Sequence, residues 1–159
     1  MSMSYASLID AYLAGPDLLR QATRGLSEDQ LRARPVAGQW STLEVVCHLA
    51  DFEIVYADRL KRVIVEHEPT MFGGDPDRFA ARLAYHDRDL AEELDVITAV
   101  RKSVGRILRT LGPDDFSRIG RHSEAGPLSL ATLLTRVTDH IPHHVQFIRQ
   151  KRQALGLAD

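Results

Sequence analysis

Apolar residues recur along this chain at spacings of three and four, in four stretches of roughly 20 residues, and nowhere with the period of two that marks a half-buried strand. The first stretch, about Ser4 to Arg24, carries Tyr5, Leu8, Ile9, Tyr12, Leu19 and Ala22. Gly15-Pro16 predicts a kink inside it, and Gly25 can take the left-handed conformation that ends it. Ser27-Glu28-Asp29-Gln30 predicts one short capped turn, and Pro35 to Gly38 a loop. A second helix starts at Ser41, whose hydroxyl can cap the first turn while Glu44 reaches back, and runs to about Glu66 before Pro69. His67 to Asp77 contains Pro69, Gly73, Gly74 and Pro76, so it reads as loop, followed by a short helix at about Arg78 to Tyr85. A third long helix spans about Arg88 to Leu111, stopped by Gly112-Pro113. A polar segment with Gly120, Gly126 and Pro127 leads to a fourth, about Ser129 to Ala154, closed by Gly156. Four amphipathic helices predict an all-α four-helix bundle, a single domain over 1–159, in which the long second connection allows the second and third long helices to run parallel.

The faces of these helices single out a few polar residues. His140 and His144 are one turn apart, and Leu133, Val137, Phe147 and Ile148 fall within about 60° of them on a helical wheel, so the two imidazoles point inward. Such a pair can bind one metal ion, and a third histidine from another helix would complete the site; His48 is the leading candidate. His48 shares its strip with Glu44, Asp51, Val55 and Asp58, which is either a solvated edge or the rim of a cleft where Glu44 or Asp51 orients an imidazole or acts as a general base. On the third helix the seam Leu90, Leu94, Ile97, Val104, Leu108 is broken by Arg101, which needs a partner. Either that partner is a structural carboxylate such as Glu44 or Asp51, or the stem lies along the core while the head reaches water, or the guanidinium clamps the anion of a substrate or of a thiol cosubstrate. Cys47 projects about 100° from His48 and reads as a small buried side chain rather than a nucleophile; His143 falls at the edge of the pair, and His67, His86 and His122 fall at loops or helix ends.

Composition narrows the classes. With 159 residues, 44% of them hydrophobic, the chain can bury a full core without a structural metal or disulfide. A formal charge of −2 gives no basic footprint for nucleic acid. The single cysteine excludes Cys-rich zinc modules, the N-terminal residues lack the pattern of a signal peptide, and no apolar run reaches membrane-spanning length, so a cytoplasmic protein acting on a small molecule is expected. The breadth of the apolar faces, that of the second helix above all, predicts a homodimer. No His-Glu-x-x-His and no paired Glu-x-x-His occurs, which disfavours a zincin protease and a di-iron centre.

Gly15-Pro16 followed by Leu19, then Gly25-Leu26-Ser27, Trp40-Ser41-x-x-Glu44-x-x-x-His48-Leu49-x-Asp51-x-Glu53, and the closing His140-x-x-His143-His144-x-x-x-Ile148 together resemble the DinB/YfiT-like superfamily of metal-dependent enzymes over nearly the whole chain. The resemblance implies a four-helix bundle holding one divalent metal, zinc or nickel, through His48, His140 and His144. Pro142 inside the last motif departs from a regular helix. Glu44, Asp51 and Arg101 are then the candidate catalytic residues. Thiol-dependent transferases among the family's members imply a thiolate attacking a small electrophile, with a low-molecular-weight thiol as cosubstrate. The alternatives are hydrolysis by an activated water, or a non-enzymatic, stress-linked bundle that only binds metal or a small ligand.

Overall fold

The computed structural model describes residues 4–157. Four long helices dominate: α1 (Tyr5–Thr23), α3 (Thr42–Val65), α5 (Leu90–Leu108) and α6 (Leu130–Ala154), with two short ones, α2 (Glu28–Arg32) and α4 (Pro76–Arg82). Each long helix begins where the sequence offers a cap. Ser4, Ser41, Asp89 and Ser129 accept a hydrogen bond from a backbone N–H of their helix's first turn, and at α2 and α3 a reciprocal capping box closes with Gln30 and Glu44. Gly25 and Gly156 take positive φ after α1 and α6, as the endings require. α1 runs through Gly15-Pro16 as one continuous helix.

The packing order follows from which side chains share a core. Leu8, Ile9 and Tyr12 of α1 cluster with Leu60 and Val63 of α3, Val104 and Leu108 of α5, and Leu130 to Val137 of α6. At the other end Leu19 meets Val45, Val46 and Leu49 of α3, Leu94 and Ile97 of α5, and Ile141 to Ile148 of α6. Therefore α1 and α6 ascend together while α3 and α5 descend together, so the expected parallel pairing of the second and third long helices is observed. α3 and α5 are consecutive and parallel, so the chain between them returns along the bundle and holds β1 and α4, while α2 lies between α1 and α3, and β2 and β3 lie between α5 and α6.

The strands are what periodicity did not reveal. β1 (Thr70–Met71) pairs in parallel with β2 (Ile119–His122), which pairs antiparallel with β3 (Gly126–Ser129). Two to four residues are too few for an alternating pattern to show. Gly126 takes positive φ at the start of β3, after the tight turn. Gly120 lets β2 lie flush on the bundle, since a Cβ there would come within 2.7 Å of Val63 Cγ2. Among the described residues no helix is long and apolar enough to cross a membrane.

Arg101 sits at the centre of the bundle with no exposed surface. Its Nε donates to Glu53 Oε2 at 3.0 Å, Nη1 to the Tyr12 carbonyl at 2.7 Å and Nη2 to the Val137 carbonyl at 2.8 Å, while Nη2 also lies 2.9 Å from Glu53. The Tyr12 hydroxyl donates to the other Glu53 oxygen at 2.9 Å. Two sequence features serve this network. Pro16 has no N–H to give the Tyr12 carbonyl four residues back, which leaves that oxygen for Arg101. Gly15 makes room, because a Cβ there would lie 2.3 Å from Arg101 Nη1. The substrate-clamp reading of Arg101 is thereby overturned, and its carboxylate is Glu53 rather than Glu44 or Asp51.

Two substitutions test this. Arg101→Met strands a buried carboxylate and is expected to cost roughly 3–5 kcal/mol. Gly15→Ala, which in an ordinary helix interior would add about 1 kcal/mol of stability, is expected to destabilise here. Urea unfolding measures both, and a stabilised Gly15→Ala protein would contradict the close approach of the guanidinium.

Candidate metal centre

His48 lies in the second turn of α3, and the start of that helix is fixed by the Ser41–Glu44 capping box, with Arg34 bound to Glu44 from outside. His140 and His144 lie midway along α6. The helix continues through Pro142, whose ring faces outward on the exposed side, so the proline leaves the pair together: their ring centroids are 4.7 Å apart. His48 closes the triangle, with its centroid 4.9 Å from His140 and 4.8 Å from His144. One nitrogen from each ring lies within 4.8 Å of the others, and Nε2 of His48 is 3.0 Å from Nε2 of His140. The expected convergence of these three residues is therefore present in the geometry. His48 is buried, not on a solvated strip.

The electrostatics favour a cation ligand set. Burial lowers the His48 pKa to about 4, opposed by the charge of Asp51. Burial, helped by mutual repulsion with His48 and other neighbouring cations, brings His140 and His144 to about 3. At neutral pH all three rings are uncharged and carry lone pairs, the state a divalent ion requires. Nδ1 of both His48 and His140 is buried without a hydrogen-bond partner, so the cluster by itself leaves polar atoms unsatisfied. Three neutral nitrogens with no carboxylate among them fit a borderline ion of the zinc or nickel type.

Around the triad the walls are aromatic: Phe52 packs 4.7 Å and Trp40 5.2 Å from the His48 ring, and Phe147 5.8 Å from His144. A cavity of about 250 Å³ opens beside His144, lined by Trp40, Val45, Asp77, Phe147 and Lys151 among others. Lys151 is a residue that sequence reasoning missed. It is only 2% exposed, its Nζ makes two long contacts, 3.3 Å to Gln39 Oε1 and 3.4 Å to the Phe147 carbonyl, and burial lowers its pKa. The signal was present, since Lys151 follows His144 by seven residues and so shares its face.

The two proposed carboxylates have other work. Glu44 accepts hydrogen bonds from the Ser41 N–H at 2.7 Å and from Arg34, and although burial opposes its ionisation, those donors carry its pKa below the usual range. Asp51 is gripped by Arg88 through contacts of 3.0–3.1 Å, and Arg88 also binds Glu93. The general-base readings of Glu44 and Asp51 give way to a helix cap and an ion pair, with Asp51 reaching His48 only through its field. Cys47 is buried against the Tyr85 carbonyl, and burial pushes its thiol up to about 12, so it is inert as a nucleophile. His143 is exposed beside His144, 5.2 Å ring to ring, and His67 and His86 are exposed away from the cluster.

Elemental analysis after loading with Zn²⁺ is expected to give one ion per chain, lost in His48→Ala, His140→Ala and His144→Ala and kept in His67→Ala; full metal content in His144→Ala would reject the site. The pH dependence has a definite sign. In the metal-free protein the unfolded chain binds protons at these histidines near pH 6.5, whereas the folded chain resists until about 3–4. Stability is therefore fully present above about pH 6.5 and falls as pH is lowered toward 5. Thermal melts over that window are expected to show the fall, and a shallower one in His140→Phe.

Comparison with known proteins follows the same lines. The DinB superfamily matches residues 11–148. A protein of Oceanobacillus iheyensis described as a "Putative metal-dependent hydrolase" is 30% identical over 133 residues, covering 84% of this chain and 77% of its own length. Another so described, from Bacillus mycoides, is 26% identical over 141 residues, covering 89% and 81%. Among solved structures, YfiT from Bacillus subtilis, described as a probable metal-dependent hydrolase with an unusual four-helix bundle topology, superposes with a TM-score of 0.92 at 24% identity, over 99% of this chain and 92% of YfiT. The extent of the family match and the shared bundle make the chain a member of the DinB superfamily.

Proposed function

We propose that this protein is a metal-dependent hydrolase of a small molecule, with His48, His140 and His144 holding one divalent ion, zinc or nickel. The observation that carries the reading is the convergence of three neutral imidazoles, one buried and two half-buried, beside a cavity open to small molecules. The relatives described as metal-dependent hydrolases support hydrolysis over the thiol transfer that the resemblance put first. When bound, the ion supplies Lewis acidity.

The chain's own residues supply the rest. Trp40 and Phe147 form apolar walls that exclude water and sandwich the body of a substrate. Lys151 presents an ammonium with two weak contacts to the same cavity. It is placed to bind a substrate's negative group, and its lowered pKa suits it to give a proton to a leaving group. Asp51, held by Arg88, keeps a negative charge near His48 and favours a cation at the triad.

A panel of small esters, amides and lactones, assayed with Zn²⁺- and Ni²⁺-loaded protein with and without low-molecular-weight thiols, tests the proposal. Metal-dependent, thiol-independent turnover is expected, abolished in His144→Ala. Lys151→Gln is expected to lower kcat/KM for an anionic substrate by roughly 10²-fold without changing metal content. Turnover only with thiol would mark a transferase. A metal whose removal lowers the Tm, in a protein with no turnover at all, would mark a structural ion.

A further inference from the structure

Away from the triad, a concavity of about 510 Å³ lies along the second half of α3 and against the strand segment, lined by Ile54, Val55, Asp58, Arg59, Met71 and Phe72 among others. Arg59 is 7% exposed. Its guanidinium lies over the Tyr56 ring, with the guanidinium carbon 5.2 Å from the centroid, and Nη2 donates to the Phe72 carbonyl. Among the described residues no carboxylate lies within ion-pair distance of it, and Nε and Nη1 have no acceptor. Arg59 lines the cavity, and these two nitrogens are not fully buried. A cation buried to this degree without a counter-ion is costly, and a ligand anion would offset that cost.

The surroundings define the ligand. Arg136 from α6 adds a second positive charge within electrostatic reach of Arg59 and of His122, whose pKa is lowered first by burial and then by Arg59. Two carboxylates oppose an anion here, Asp58 and Glu124. Asp58 is already held by Arg62 at 2.9 Å, and Glu124 covers Gly73, where a Cβ would lie 2.7 Å from its Oε1. Besides Arg62 and Thr70, the remaining lining is apolar, Ile54, Val55, Met71 and Phe72, with Ile54 and Phe72 strongly exposed. Nε–H and Nη1–H lie on opposite edges of the planar guanidinium, so a carboxylate takes a single charge-assisted hydrogen bond from one of them. An apolar wall beside them matches a short hydrocarbon body rather than a bare, strongly hydrated ion.

We infer that Arg59 and the groove formed by Ile54, Val55, Met71 and Phe72 are a binding site for a small amphiphilic carboxylate. The site is separate from the triad and does not depend on the hydrolase reading.

The full-length, metal-loaded protein labelled with ¹³C at the methionine methyl groups reads this site through Met71. Titration with hexanoate is expected to shift the Met71 methyl saturably at millimolar concentration, with hexanamide and inorganic phosphate at least about tenfold weaker. Arg59→Gln is expected to weaken hexanoate at least about tenfold, and His144→Ala to leave it unchanged. The inference is overturned if Met71 does not respond, if hexanamide or phosphate binds as well as hexanoate, or if His144→Ala removes the response. Should Arg59→Gln fail to fold, the comparison of hexanoate with hexanamide on the wild-type protein decides.

Discussion

A buried guanidinium joins all four long helices. Arg101 comes from α5 and bonds Glu53 of α3, the Tyr12 carbonyl of α1 and the Val137 carbonyl of α6. Because a buried charge of this kind tolerates little displacement from its partners, the network fixes the axial height of each helix relative to the others. Glu53 follows His48 by five residues and Val137 precedes His140 by three, so the same network sets the level at which the imidazoles of α3 and α6 meet. Apolar packing alone is compatible with several offsets along a helix; the ion pair selects one.

The second constraint is desolvation. The interior that holds Arg101 with its carboxylate leaves the histidines uncharged, since they have no carboxylate of their own within bonding distance. Burial is the first cause of their lowered pKa values, and the positive charge of Arg101 adds to it at His140. Glu44, Asp51 and Glu93, which could have supplied hard oxygen ligands, are engaged by Arg34 and Arg88 instead. The ion pairs at the edge of the site thus maintain a donor set of nitrogen alone.

The connections between the long helices build what the helices cannot. The short sheet and the segment around Gly73 and Gly74 cover the second half of α3 and bring Phe72 over Arg59, while Gly38 to Trp40 and Asp77 line the opening beside His144. A bundle with short loops would leave both concavities open to solvent.

Much of this was written in the sequence. Caps at Ser27, Ser41 and Ser129, the glycine endings at Gly25 and Gly156, and the spacing of Leu, Ile and Val are local properties, so the four helices and their buried faces could be read directly from the chain. The inward aim of His140 and His144 follows from the same periodicity. Several features depended on what lies across the bundle. The wheel placed Arg101 in the core and offered Glu44 or Asp51 as its carboxylate, whereas the structure has Glu53, because that choice rests on the relative height of two helices. The roles of Glu44 and Asp51 were decided by Arg34 and Arg88, which approach from loops and helix ends with no periodic signal. The strands are too short to alternate visibly, and Lys151 and Arg59 acquired their settings only when distant segments closed over them. Local periodicity encodes which face of a helix is buried; the partner on the other side is a property of the assembled chain.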